Sequence, residues 1–383
     1  MGEWEQVRLG DLVEVYNSER RPIKSTDRVS GSTPYYGASG VVDWVEGHTH
    51  DGEFLLIAED GENLRSRSTP VAFRATGQIW VNNHAHVVAG KRTFDTRFLE
   101  HALAKCDISG YLTGSAQPKL SRTAMESIAL HVPPPSVREA IAEVLGVLDD
   151  KIAANERVGV TTKALLRAEF DKLGVVPRSD EEIGECRLDR YVQLNPRLSI
   201  RRTGDLPFLE MKNLPDRSMT VSQWSHREAK SGARFMNQDT LLARITPCLE
   251  NGKTGYVDFL AEDEIGIGST EFIVLRPAKG VPPALVYFLA VDDDFRAHAI
   301  RHMVGTSGRQ RVAAGDLAEF RLHSVSASAL ERFGESAGPL MAQVKAGVEE
   351  SRRLAHTRDQ MLPLLMSGKL TVNDVEDEVS CMV

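Results

Sequence analysis

Nowhere in the 383 residues is there a run of about 18 apolar residues, so no membrane-spanning helix is expected. The opening Met1-Gly2-Glu3-Trp4-Glu5 has neither a basic start nor an apolar core, and no secretory leader is expected either. Cysteine is scarce: Cys106, Cys186, Cys248 and Cys381 stand 62 to 133 residues apart. That spacing excludes a cysteine-rich zinc module and a small disulfide scaffold, and it fits a reducing cytoplasm. Positive charge is not in excess. Lys and Arg number 46 against 54 Asp and Glu, a net charge of -8. Residues 1–133 hold 14 bases and 17 acids, and residues 176–325 hold 20 and 21. No segment carries the basic footprint of a nucleic-acid binder, so any contact with phosphate must come from local patches or from partners.

Catalytic signatures are missing too. Thr246-Pro247-Cys248-Leu249-Glu250-Asn251-Gly252-Lys253-Thr254 ends like a phosphate-binding loop, but Pro247 stands where that loop needs its first glycine and removes an N–H donor. Asp216, Glu228 and Lys230 mimic a metal-dependent nuclease, in which two acids hold a divalent ion and a lysine supports the attacking water. The pattern is short, and a solvated loop explains it as well. His48 and His50, and His84 and His86, are pairs whose alternation would put both rings on one strand face. A zinc site would need further ligands that the sequence does not supply, so polar structural roles are expected. There is no dinucleotide fingerprint and no serine nucleophile elbow, and Asn195-Pro196-Arg197 stops short of an amino-methyltransferase motif. The chain reads as a binder without chemistry of its own.

What is present is a repeat. Arg8-Leu9-Gly10-Asp11-Leu12 is echoed by Arg187-Leu188-Asp189-Arg190-Tyr191, and Phe54 to Ala58 by Thr240 to Arg244. Ile79 and Val81 match Ile265 and Ile267. Tyr111 to Ala116 match His302 to Ser307, and Met125, Ile128, Leu130 and His131 match Leu317, Phe320, Leu322 and His323. The matches are collinear, with spacings drifting from 179 to 192 residues. Each copy starts with a mixed α+β globule, residues 1–133 and 176–325. Apolar or alternating runs at Gly52 to Ala58, Gln78 to Val81 and Ala85 to Val88 predict strands, while Phe94 to Ala104 and Pro282 to Ala290 predict short helices.

Each copy ends in a long helix. The first follows Pro133-Pro134-Pro135, with Ser136 expected as N-cap and Glu139 completing a capping box. Ile141, Leu145, Leu148 and Ile152 form a heptad seam that Leu165, Leu166, Phe170 and Leu173 continue. A helix from about 136 to 173 would be roughly 55 Å long. The second starts near Ser328, carries Leu330, Phe333, Leu340, Val344, Val348, Leu354, Met361, Leu362 and Leu365, and ends near Gly368. Gly146, Gly159 and Gly347 are weak points within these helices. Such a stripe must be buried. An antiparallel pairing of the two helices is the economical solution; packing on the parent globule and an intermolecular coiled coil are the alternatives.

At this point a family resemblance enters. Tyr35 to Gly40, Leu56 to Leu64 and Trp80 to Val87 resemble the first target recognition domain of type I restriction–modification specificity subunits. Arg244 to Lys253 resembles a segment of such domains, as do Gly114 to Leu120, the proline-led helix Ile141 to Ile152, and Ser367-Gly368-Lys369-Leu370. The resemblance implies two similar target recognition domains (1–133 and 176–325) and two long spacer helices (134–175 and 326–370), with an acidic tail (371–383). The helices would pair as an antiparallel coiled coil with pseudo-two-fold symmetry. It implies a non-catalytic cytoplasmic subunit that reads a bipartite double-stranded DNA target and docks two methyltransferase subunits. Those carry S-adenosylmethionine and methylate adenine N6. Two nuclease–translocase subunits using ATP and Mg would join in systems that cut DNA. This chain itself is expected to bind no cofactor or metal. On this reading Lys119, Arg122, Lys253, Arg309 and Arg311 are candidates for phosphate contacts. Tyr36, Ser39, Arg65, Asn83, Gln117, Arg244, Asn251 and Gln310 are candidates for base edges. The rival readings are the nuclease above and a structural helical adaptor that never touches DNA.

Overall fold

The structure is a computed structural model that describes residues 4–178, 185–199, 204–215, 218–228, 231–306 and 308–371. The chain divides into two compact units, Met1–Lys151 with Arg353–Val383, and Ile152–Arg352. Of the nuclease-like trio only Glu228 is described, and it is exposed; Asp216 and Lys230 fall outside the described residues, as does the tail beyond 371.

Unit 1 opens with β1 (Glu5–Arg8), α1 (Leu9–Leu12) and β2 (Val13–Val15). There follow β3 (Ser30–Gly37), β4 (Gly40–Val45), β5 (His50–Ala58), α2 (Asn63–Ser66), β6 (Ala72–Val81), β7 (Ala85–Gly90), α3 (Asp95–Lys105), α4 (Arg122–Glu126) and β8 (Ala129–Val132). Six strands form a sheet in the order β2-β7-β5-β6-β3-β4, and β1 pairs with β8. The pairings are antiparallel except β3 with β6. The run Phe54-Leu55-Leu56-Ile57-Ala58 is buried on both faces. Phe54 and Leu56 pack with Ile79, Val81 and Val87, and α3 covers β5 to β7. Continuous apolar strands of this kind mark a sheet covered on both sides.

Unit 2 repeats the order. Its strands are β9 (Cys186–Arg187), β10 (Val192–Leu194), β11 (Leu206–Leu209), β12 (Ser225–Arg227), β13 (Ala233–Phe235), β14 (Thr240–Ala243), β15 (Thr254–Tyr256), β16 (Gly266–Gly268), β17 (Phe272–Pro277) and β18 (Arg321–Leu322). They form β10-β17-β14-β15 and β12-β11-β16-β13, and β18 pairs with β9. This is the order of unit 1 with two long strands each broken in two: β13 and β14 stand for β5, and β15 and β16 for β6. The parallel pair recurs as β11 with β16.

The long helices are α5 (Pro135–Lys172) and, after α6 (Pro283–Ala290), α7 (Asp293–Arg301) and α8 (Ala314–Ala318), α9 (Ala327–Met366). Pro135 opens α5, where its missing N–H costs nothing. Ser136 therefore lies in the first turn, not at the cap, and the Val137 and Arg138 amides donate to the Pro134 carbonyl. Ile141, Leu145 and Leu148 are buried as the seam requires, but Leu165 is 48% exposed, and Leu166 takes the inward position beside it. Within unit 2, Leu166 and Phe170 of α5 share one core with Phe333, Met341 and Val344 of α9. Asn155 donates to Glu350 at 2.8 Å, and Ser336 donates to Glu169 at 2.8 Å, so the segments there run antiparallel. Within unit 1, Arg358 of α9 donates to Asp149 of α5 at 2.7 Å. Two glycines, Gly159 of α5 and Gly347 of α9, lie where the helices approach each other: a Cβ on Gly347 would meet Asn155, and one on Gly159 would meet Val344. A Cβ on Gly146 would meet Arg97.

Candidate nucleic-acid interface

In each unit one backbone node gathers the loops at the strand ends. In unit 1, Glu59 N donates to His84 O, and Leu120 N donates to Glu59 O. In unit 2, Arg244 N donates to Glu271 O, and Val312 N donates to Arg244 O. The flanking bridges agree: Asp60 and Thr113 each pair with Lys119, while Ile245 and Val304 each pair with Arg311. The side-chain supports agree as well. Asn82 Oδ1 accepts from His84 N, and Ser269 Oγ accepts from Glu271 N. Asn17 Oδ1 accepts from Val87 N, and Asn195 Oδ1 accepts from Val274 N.

These pairings correct the repeat by one residue. Ala58 pairs across the sheet with Ala85, and Ala243 with Phe272, so Ala58 corresponds to Ala243 and Glu59 to Arg244. Likewise Val81 corresponds to Gly268, since Tyr36 pairs with Val81 and Leu209 with Gly268. A one-residue slip along a strand exchanges its faces, so the sequence matches at these strands had compared inward with outward positions.

Around the unit 1 node stand several of the expected readers. Arg65, on α2, donates to the Gly114 and Ser115 carbonyls at 2.7 and 3.1 Å and pins the loop that carries Gln117. That loop turns at Gly114, where φ is +83° and a Cβ would fall 2.3 Å from the Gln117 carbonyl. Lys119 Nζ lies 3.5 Å from Glu59, which also receives Arg20 at 2.7 Å. Burial pushes the Glu59 carboxyl up, but Arg20, His86 and Lys119 outweigh it and hold the pKa low. His84 Nδ1 lies 2.9 Å from Asp60. Asn83 is exposed in the turn before His84. Tyr36 is half-buried, accepts from Asn82 N and stacks on Phe73, and burial raises its pKa. Ser39 is exposed at the tip of the β3–β4 hairpin. Arg122 stands apart on α4, paired with Glu126 at 2.8 Å.

Around the unit 2 node, Arg311 holds Glu271 through two nitrogens at 2.7 and 2.9 Å. That hydrogen bonding keeps the Glu271 carboxyl below its ordinary pKa, with the Arg244 charge adding to it. The Thr246 amide donates to the Gln310 carbonyl and the Gln310 amide donates to Thr246 Oγ1, and Arg309 is exposed on the Val304–Arg311 loop. Asn251 is exposed. Lys253 turns back to donate to the Leu214 carbonyl at 3.1 Å.

The histidine pairs do not share strand faces. His48 and His84 lie in turns and are exposed. His50 is buried against the Tyr16 carbonyl at 3.2 Å, and His86 bridges Asn17 and the Leu120 carbonyl at 2.9 and 2.8 Å. Glu100, His101 and Asp149 do bring ligand atoms within 4.8 Å of one another. Their carboxylates already face Arg74 and Arg358 at 2.7 Å, which makes the group an ion-pair network between α3 and the long helices of unit 1. Sequence reasoning missed Glu59, Glu271 and Asn17, and it named His84 only as half of a histidine pair and Asn195 only in a broken motif; a repeat alignment in the correct register would have brought them together.

The two units thus present different side chains from one backbone frame. Residues 1–160 match the family described as Type I restriction modification DNA specificity domain. The putative type I restriction enzyme specificity subunit S.HindORF215P of Haemophilus influenzae is 42% identical over 147 residues, 38% of this chain and 37% of that protein. The type I restriction enzyme EcoprrI specificity subunit of Escherichia coli is 28% identical over 149 residues, 39% of this chain and 35% of that protein. The matches thus span little more than a third of these curated relatives. The crystal structure of a type I restriction–modification system S subunit from M. genitalium superposes with a TM-score of 0.56 at 13% identity, over 95% of this chain and 96% of that one. At that identity the likeness is one of fold. Among the described residues no helix is long and apolar enough to cross a membrane.

Proposed function

We propose that this chain is the DNA-specificity subunit of a type I restriction–modification complex, working in the cytoplasm and non-catalytic by itself. Each unit reads one half of a bipartite double-stranded target. Helices α5 and α9, paired as an antiparallel coiled coil, space the two readers in a pseudo-two-fold arrangement and dock two methyltransferase subunits. S-adenosylmethionine sits on those partners, which flip the target adenine out of the stack before N6 methylation. Where the system also cuts, two nuclease–translocase subunits bring ATP and Mg. The partners also supply most of the phosphate neutralisation, which reconciles a net charge of -8 with DNA binding.

The observation that carries this reading is the repeated node with exchanged chemistry. Glu59, His84 and Lys119 in unit 1 are replaced at equivalent backbone positions by Arg244, Glu271 and Arg311 in unit 2. One scaffold with two sets of donors and acceptors is what two unlike half-sites require. Tyr36, Ser39, Arg65, Asn83, Gln117, Asn251 and Gln310 remain the proposed base-side residues, and Lys119, Arg122, Lys253, Arg309 and Arg311 the phosphate-side ones. The test is methylation-sensitive sequencing of DNA from cells with and without the gene. A two-part motif with a fixed gap, methylated only when the gene is present, is expected. Identical methylation in both cells would contradict the proposal.

A further inference from the structure

Unit 2 contains a groove of about 530 Å³ beside its node. Every charged side chain described on its wall is an arginine: Arg197, Arg234 and Arg244. This occurs in a chain whose acids outnumber its bases, 54 to 46. Arg244 Nε is buried and, among the described residues, has no hydrogen-bond partner. The nearby acid, Glu271, is engaged by Arg311 through both carboxylate oxygens. Arg234 is turned to the Leu198 carbonyl at 2.6 Å.

Comparison with unit 1 explains the orphan. There the equivalent residue is Glu59, and Arg20 meets it at 2.7 Å. Arg20 stands three residues past Asn17; three residues past the equivalent Asn195 stands Leu198. An internal acid–base couple has become an arginine and a leucine, both on the groove wall. A buried donor left without an acceptor is costly, by about 1–3 kcal/mol, and a turn of the Arg244 side chain towards an acceptor seated in the groove recovers that cost.

Resting on the proposed function, we infer that this groove seats the major-groove edge of a guanine in the second half-site, with Arg244 directed at O6 and N7. A backbone phosphate offers similar acceptors, but two features favour the base. Phosphate contacts are made by side chains of many types and carry no sequence information. Arg244 instead has its backbone fixed on both sides, by Glu271 and Val312, each at 3.0 Å, as a discriminating reader needs. Arginine on guanine O6 and N7 is the commonest specific contact in that groove.

The experiment uses the full chain assembled with its methyltransferase partners. Methylation is measured on a DNA library randomised through both half-sites, for the parent and for Arg244→Ala, Arg244→Lys and Arg197→Ala. The parent should require a G·C pair at one position of the second half-site. Arg244→Ala should weaken that preference by about 5- to 150-fold. Arg244→Lys, which cannot form the bidentate fork, should weaken it too. Selection in the first half-site should persist in all variants, which reports that the chain folds and assembles. Three results overturn the inference: a second half-site with no required G·C pair, Arg244 variants that retain the parental preference, or a uniform fall across all sequences, which identifies a phosphate contact. If the parent yields no bipartite motif, the proposed function falls and this inference with it. A bipartite motif untouched by Arg244→Ala removes this inference alone.

Discussion

Single side chains in this protein divide into those that hold the frame and those left over for recognition. His86 belongs to the first kind: burial lowers its pKa, and its ring is held between Asn17 and the Leu120 carbonyl. Asp258 is a costlier resident. Burial pushes its carboxyl up to about 6, with Lys345 opposing and Glu349 adding to the rise. A folded pKa above the unfolded value of about 3.9 means that stability is fully present below that value and is lost as pH rises through about 6. Asp258→Asn should therefore raise the urea midpoint of the chain at pH 7 and leave it nearly unchanged near pH 4. An equal gain at both pH values would show that charge burial is not the cause. Several of the proposed contact residues also brace the fold. Arg65, Arg122, Lys253 and Arg311 all resemble mobile surface cations in the sequence, yet each has a protein acceptor in the structure. Local sequence shows only the i,i+4 pair of Arg122 with Glu126; the other acceptors are backbone carbonyls and a distant acid brought close by the fold.

At the scale of elements, the long helices were legible because their apolar period extends over many turns. They run Pro135–Lys172 and Ala327–Met366, within a residue or two of the periodic pattern. The strands were legible only in part. Phe54 to Ala58 reads as a buried strand from its apolar run, but β13 to β16 are three or four residues each, too short to show alternation. The register of the repeat was illegible for the same reason: apolar residues on both faces of a buried strand match equally well one residue out of step. Two asparagines settle it. Asn17 and Asn195 each accept from the amide of a buried valine, Val87 and Val274, at 2.8 and 2.9 Å. Asn17→Ala and Asn195→Ala should each cost about 1–3 kcal/mol, because each leaves a buried N–H without an acceptor. Hydrogen exchange should report the two losses separately, in β7 for one and β17 for the other. A loss in one unit and none in the other would mean that the two frames are not equivalent.

For the whole molecule, the account rests on duplication with divergence. The order of strands occurs twice, and the nodes at the strand ends keep their backbone bonds while their charges change. Function was legible in the sequence to the extent that motifs near Tyr36, Asn83, Gln117 and Arg244 resemble a family. The partition of work between the units was not, because it depends on which side chain occupies each node. The most direct measurement replaces residues 1–133 with the recognition domain of a subunit of different specificity and maps the methylated motif of the assembled complex. The account predicts that the first half of the motif changes to that of the donor, while the second half and its G·C requirement stay as they were. An unchanged motif, or loss of selection in both halves by a hybrid that still assembles, would contradict it.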